Sequence, residues 1–195
     1  MPEQPMVDAS AAVGRFFVAL LPPKNLQETI TAIQHDIGQR FGSKAALRSP
    51  PHITLQPPFQ WPLDRTAELE RSLHSWVCHQ PPIPIALERF SAFAPRVIYI
   101  DVVQTPELMA IQPALITHLH KHCGLGNAST QPRPFCPHVT VAFRDLTPAA
   151  FRQAWPEFKQ RPFSAEFVVS ALTLLRHDGQ RWQIFSDFLL NRSTP

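Results

Sequence analysis

Two five-residue segments carry the residue types best suited to chemistry: Pro51-His52-Ile53-Thr54-Leu55 and Pro137-His138-Val139-Thr140-Val141. A β-strand projects successive side chains to opposite faces. His52 and Thr54 therefore share one face, with Ile53 and Leu55 on the other. The second segment separates His138 and Thr140 from Val139 and Val141 in the same way. One face of each strand can enter a core while the other offers an imidazole and a hydroxyl to a cleft. Histidine exchanges a proton near neutral pH, and a threonine hydroxyl is a short, stiff donor to a phosphate oxygen. Two such pairs, face to face, make an acid–base device for a phosphate ester that needs no metal and no cofactor. One histidine deprotonates the attacking water or hydroxyl and the other protonates the leaving oxygen. Thr54 and Thr140 hold the non-bridging oxygens. The spacing leaves open which histidine takes which part.

A single histidine on a half-buried strand is ordinarily a hydrogen-bonded structural residue. Here the pattern occurs twice, each time after a proline and each time at the close of an equivalent unit. Arg15–Leu21 reads as a buried strand ended by Pro22-Pro23. Leu26, Ile30, Ile33 and Ile37 then mark one face of a helix over Lys24–Phe41, with Gly42 as its C-cap. A loop leads to the strand His52–Leu55, which is expected to stop at Pro57-Pro58. The second unit repeats this order: strand Arg96–Val103, helix Pro106–Cys123 with Leu108, Ile111, Leu115 and Leu119 inward, a loop over 124–134, and the strand from His138. Between and after the units lie a helix over Leu63–Val77, a short strand around Ile83–Leu87 and a helix over Pro148–Phe158. A hairpin of Ala171–His177 with Arg181–Leu190 turns at Asp178-Gly179. Two similar lobes related by a pseudo-two-fold would bring the two histidines together. The expectation is a tail over residues 1–13 and one bilobal α+β domain over 14–195.

The paired His-aliphatic-Thr-aliphatic segments resemble those of the 2H phosphoesterase superfamily, and within it the 2'-5' RNA ligase / cyclic phosphodiesterase branch. The likeness extends to the opening Arg15–Leu21 strand with its prolines, to Phe90-Ser91-Ala92-Phe93 leading into Arg96-Val97-Ile98-Tyr99, and to the end of the hairpin at Phe188-Leu189-Leu190. It implies two pseudo-symmetric lobes with antiparallel sheets lining a central cleft and helices outside. It also implies metal-independent hydrolysis of the 2',3'-cyclic phosphate of RNA ends or nucleotides, with 2'-5' RNA ligation as the reverse type of reaction. His52 and His138 would be catalytic, Thr54 and Thr140 phosphate-binding, and the partner a cyclic-phosphate nucleotide or an RNA 3' end. Two departures bear on substrate choice. The ligase branch often has an arginine in His-x-Thr-x-x-Arg, where this chain has Phe143, with Arg144 one residue later. On a continuing strand that shift sends Arg144 to the opposite face, which a bulge or a strand end would correct. The first segment also exits through Gln56-Pro57-Pro58-Phe59 rather than through more polar residues.

Composition narrows the alternatives. The chain has 195 residues, 44% hydrophobic and 17% charged, with 22 prolines against six glycines. Such a chain can bury a core of its own and is neither a disordered polyelectrolyte nor a coiled coil. The prolines argue for short elements and few long helices. A net charge of +3 suits an anionic ligand but does not itself indicate nucleic-acid binding. Cys78, Cys123 and Cys136, without CxxC spacing, read as reduced thiols. With no membrane-length apolar run and no positively charged leader, the expectation is a cytoplasmic monomer without an obligate protein partner.

Other residues carry weaker signals. Phe59, Tyr99, Phe143 and Trp182 could stack on a base, although aromatic residues more often fill cores. Arg144 and Arg176 are potential phosphate ligands. His118 and His122, one helical turn apart near Cys123, invite a metal reading. No HExxH or paired-cysteine pattern supports it, and these histidines, with His120, are expected on the exposed side of their helix. His35, His74, His79 and His177 read as surface residues. The competing functions are a non-catalytic module that binds a nucleotide or RNA end, and a metallohydrolase centred on His118–Cys123.

Overall fold

The computed structural model describes residues 12–126 and 134–191. The elements run β1 (Val13–Leu20), α1 (Lys24–Phe41), a 3₁₀ turn (Ala45–Arg48), β2 (Ile53–Pro62), a second 3₁₀ turn (Leu63–Arg65), α2 (Thr66–Val77), β3 (Ile83–Phe93), β4 (Val97–Val102), α3 (Pro106–Cys123), β5 (His138–Ala142), α4 (Pro148–Gln160), β6 (Ser164–Val169), β7 (Ala171–His177) and β8 (Trp182–Leu189). All described strand pairs are antiparallel. They lie in the order β6-β3-β4-β5-β2-β1-β7-β8. The order has a centre of symmetry between β5 and β2, so β1-α1-β2 and β4-α3-β5 are the two related lobes. The expected lobes are present, and their sheets meet edge to edge through one residue pair, Ile53 opposite Val139.

Alternation explains why this sheet has one helix-covered face. Ile53, Leu55, Val139 and Val141 are at most 1% exposed and join Ile30, Ile37, Leu69, Leu73, Leu115, Leu119 and Phe158 in a core shared with all four helices. Burying each aliphatic side chain contributes about 1.5–3 kcal/mol, so each central strand is pinned in register by its non-chemical residues. The other face carries a small apolar cluster of Phe17, Ala19 and Leu175, flanked by Leu21 and Trp182, and, in the other lobe, Tyr99 with Phe93.

Helix ends follow local chemistry. Gly42 closes α1 at φ +77°, a conformation that favours glycine. Thr105 and Thr147 cap α3 and α4 by accepting from the amides of Leu108 and Ala150, each just before a proline at the first helical position. Among the described residues, no helix is long and apolar enough to cross a membrane.

Several elements differ from their sequence-based expectation. β2 does not stop at Pro57-Pro58. Gln56 pairs with Val18 and Phe59 with Phe16, so two prolines face one residue of β1 in a bulge and the strand continues to Pro62. A bulge leaves a position unpaired, which accommodates prolines that have no N–H to give to the ladder. β1 begins at Val13, two residues early. Residues 1–11 of the expected tail, and most of the expected loop over 124–134, lie outside the described residues. β3 runs to Phe93 through a bulge at Arg89, where φ is +56°. β6, which carries no clear signal in the sequence, is an edge strand on β3; Ala165, Phe167 and Val169 turn inward, and the exposed Val168 between the last two blurs the alternation. α2 starts at Thr66, three residues late, after the 3₁₀ turn Leu63–Arg65. The proline content predicts few long helices, yet both α1 and α3 reach 18 residues, and α3 does so with Pro113 inside it. An interior proline forfeits one helical hydrogen bond and crowds the carbonyl four residues earlier, a cost of about 3 kcal/mol that burial of Leu108, Ile111, Leu115 and Leu119 offsets.

Candidate active site

The pair Ile53–Val139 fixes the geometry of the site. In an antiparallel ladder, one step to either side sets His52 opposite Thr140 and Thr54 opposite His138. Each histidine thus faces the threonine of the other lobe. All four side chains are half-buried and line one cavity of about 290 Å³.

The two rings are held alike. The Nδ1 of His52 lies 2.7 Å from the carbonyl oxygen of Pro50, and the Nδ1 of His138 lies 2.7 Å from that of Cys136. A carbonyl only accepts, so Nδ1 carries the proton in both rings and each Nε2 is free to exchange one. The aromatic surroundings differ. Phe17 packs on His52 at 4.7 Å between centroids and is itself braced by Trp182. His138 lies against Tyr99 at 5.0 Å and the edge of Phe93 at 5.3 Å. Burial lowers the His52 pKa from 6.5 to about 4, partly offset by the Pro50 carbonyl and reinforced by the charge of His138. His52 is therefore a neutral imidazole at pH 7.

The roof comes from segments that the sequence motifs did not point to. The Asp145 carboxylate accepts from Ser43 Oγ at 2.8 Å and from the amides of Lys44 and Ala45 at 2.9 Å. It clamps the 3₁₀ turn Ala45–Arg48 to the end of β5, and Ala45, Ala46 and Arg48 close over the cavity. Gln34 of α1 donates through Nε2 to the Thr140 carbonyl at 3.1 Å, and its buried Oε1 has no partner among the described residues. That tether fixes the backbone on which Thr140 sits.

The weaker candidates separate cleanly. β5 ends at Ala142 and Arg144 takes φ +57°, with the Asp145 amide donating to the Phe143 carbonyl at 2.7 Å. The strand end redirects Arg144, so both Phe143 and Arg144 line the cavity, the guanidinium 5.2 Å over the ring. Trp182 lines it as well, while Tyr99 is buried beside His138. Phe59 lies on the core side against Phe16. Arg176 points away, over Phe185.

Two readings of surface histidines are corrected. His177 lines the cavity and packs on Trp182 at 4.9 Å. It follows Leu175 on the face of β7 that meets Phe17, so period-two counting from Phe17 would have found it. His118 turns against α2, its Nε2 within 3.0 Å of both the Oγ and the carbonyl oxygen of Ser72. No group of three or more His, Cys, Asp or Glu side chains among the described residues is placed to hold a metal.

Comparison with known proteins agrees with this architecture. Residues 22–181 match the family model described as the 2'-5' RNA ligase superfamily. A Bacillus licheniformis protein named "Putative phosphoesterase" is 31% identical over 180 residues, covering 90% of this chain and 98% of its own. The crystal structure of TT0787 of Thermus thermophilus superimposes with a TM-score of 0.68 at 20% identity, over 92% of this chain and all of the other. E. coli LigT complexed with 3'-AMP does so with a TM-score of 0.64 at 19% identity, over 92% and 99%.

Proposed function

The chain belongs to the 2'-5' RNA ligase superfamily, and from that premise we propose that it is a metal-independent phosphodiesterase that opens 2',3'-cyclic phosphates at RNA ends or on nucleotides. The observation that carries this reading is the crossed arrangement of His52, Thr54, His138 and Thr140 in one cavity, with both Nδ1 atoms tied to carbonyls. The 3'-AMP bound by E. coli LigT has the form of a ring-opened product.

The mechanism follows from proton bookkeeping. The cyclic phosphate sits between the two strands, its non-bridging oxygens accepting from the Thr54 and Thr140 hydroxyls. His52, kept neutral by burial, takes a proton from water at Nε2 as the water oxygen bonds to phosphorus. His138, protonated, gives its Nε2 proton to the ribose oxygen as the P–O bond breaks. The product is a 2'- or 3'-monophosphate, and the two histidines have exchanged protonation states. Arg144 at the rim stabilises the added negative charge.

The test is hydrolysis of a 2',3'-cyclic mononucleotide and of a short RNA with a cyclic-phosphate end. Both are run in EDTA, with wild type beside His52→Ala, and the phosphate position of each product is identified. Turnover by wild type alone supports the mechanism. Tight binding without turnover would replace it with a binding module, and activity lost in EDTA would replace it with a metallohydrolase.

A further inference from the structure

Resting on the reading above, we propose that Arg181, Arg48 and Lys44 form a second anion subsite beside the cavity, selecting ligands that carry a further phosphate besides the cyclic one. Arg48 lines the cavity and also two adjoining grooves. Arg181 lines both grooves and Lys44 one of them. Gln34, Arg48, Ser49, Pro50 and Trp182 line both the cavity and one groove of about 240 Å³, so a ligand leaving the cavity between Arg48 and Trp182 enters that groove directly.

Three observations make this patch a built feature. First, no carboxylate among the described residues lines the cavity or either groove. Second, the acids nearest in sequence are consumed internally. Asp145 is taken up by Ser43 and the Lys44 and Ala45 amides, and Asp178 accepts from the Gln180 and Arg181 amides and from Gln183 Nε2. These same bonds hold still the two turns that carry the cations. Third, the described ion pairs engage Arg40 and Arg65 elsewhere, and none involves Lys44, Arg48 or Arg181. Cations without a carboxylate partner, on rigid turns at the mouth of a phosphate site, are the arrangement expected for a second phosphate. The second phosphate has two sources: a 5'-phosphate on the same nucleoside, or the next phosphodiester of an RNA chain.

The experiment compares kcat/KM for three probes: adenosine 2',3'-cyclic phosphate, the same compound with a 5'-phosphate, and an RNA dinucleotide with a free 5'-hydroxyl and a cyclic-phosphate end. Wild type is run beside Arg181→Gln and the double variant Lys44→Gln/Arg181→Gln. Equilibrium binding of the same probes is measured in parallel. The subsite requires wild type to prefer at least one two-phosphate probe by about tenfold, the scale of a charge-assisted hydrogen bond. The double variant should lose that preference and keep its rate on the unsubstituted cyclic nucleotide within about twofold. A gain on the dinucleotide alone assigns the RNA source. A gain on the 5'-phosphate probe assigns a phosphate on the same nucleoside. Equal wild-type activity on all probes, or an equal loss on all probes in the double variant, overturns the subsite. Failure of turnover on every probe counts against the catalytic reading, and the binding preference and its loss in the variants then decide the subsite alone.

Discussion

His52 and His138 stand at equivalent points of two related lobes, with the same Nδ1 tether and the same reciprocal threonine, yet their surroundings differ. His52 lies under a roof made by the 3₁₀ turn Ala45–Arg48, with Phe17, Trp182 and His177 beside it. His138 lies against Tyr99 and against Phe93, which is itself 43% exposed. Strand pairing alone would make the two imidazoles interchangeable. Loops outside the sheet separate them, and desolvation keeps His52 a neutral imidazole at pH 7. In the proposed mechanism, this asymmetric covering is what would give a symmetric scaffold a direction of proton flow.

Removing each ring in turn separates the two histidines most directly. His52→Ala and His138→Ala are each expected to lower kcat on a cyclic phosphate by about 10³-fold, within the range for a general acid or base. A phosphodiester with a p-nitrophenolate leaving group needs little protonation. On that substrate His138→Ala should regain most of its loss and His52→Ala should not. Regain by His52→Ala instead would reverse the assignment, and equal behaviour would show that the roof confers no direction.

The threonines come next. In the proposed mechanism each supplies one hydrogen bond to a phosphate oxygen, so Thr54→Ala and Thr140→Ala should each cost about 10- to 100-fold in kcat/KM. If the sites are crossed as the ladder implies, Thr140→Ala combined with His52→Ala should cost far less than the product of the single losses. Full additivity across that pair would place the two residues on separate tasks.

The acid side of the pH profile tests the burial of His52. Free histidine titrates near 6.5 and folded His52 at about 4. kcat/KM should therefore fall about tenfold per pH unit below about 4, as His52 takes up a proton. The same shift has a stability consequence of defined sign. Between about 6.5 and 4 the unfolded chain binds this proton and the folded chain does not, so stability falls as the pH drops through that window and levels below it. A urea titration at several pH values should lose that slope in His52→Gln. A slope unchanged by the substitution would mean that His52 is as solvated as a free imidazole.

Much of this was legible in the residues and some was not, for identifiable reasons. The central strands were readable because Ile53, Leu55, Val139 and Val141 alternate with the four site residues, and period two is a strong signal. The pseudo-symmetry was readable because strand, helix, loop and motif recur in order. The roof was not. Ala45, Ala46 and Arg48 sit in a short turn whose position depends on Asp145, 100 residues from Ala45 in the chain, and no local pattern encodes that bond. Arg144 was half legible, because its distance from His138 is local but the φ of +57° that swings it inward depends on where β5 ends. The continuation of β2 through two prolines was hidden because bulges appear only when the partner strand is known.

Asp145 gives the smallest expected effect and separates roof from floor. Its carboxylate makes three bonds between the first lobe's turn and the end of the second lobe's strand, and it makes none to the histidines or threonines. Asp145→Asn keeps the shape and one acceptor oxygen but loses the charge-assisted bonds to the Lys44 and Ala45 amides. The expected cost is about 1–2 kcal/mol of stability. A loosened turn also lets water reach His52, so the acid limb of kcat/KM should move up from about 4 toward 6.5, with KM rising a few-fold and kcat at neutral pH little changed. The corresponding floor change, Tyr99→Phe beside His138, should leave that limb in place. Stability lost without any movement of the acid limb would show that the roof braces the fold but does not set the proton affinity of His52. The difference between the two histidines would then have to come from Phe17, Trp182 and His177.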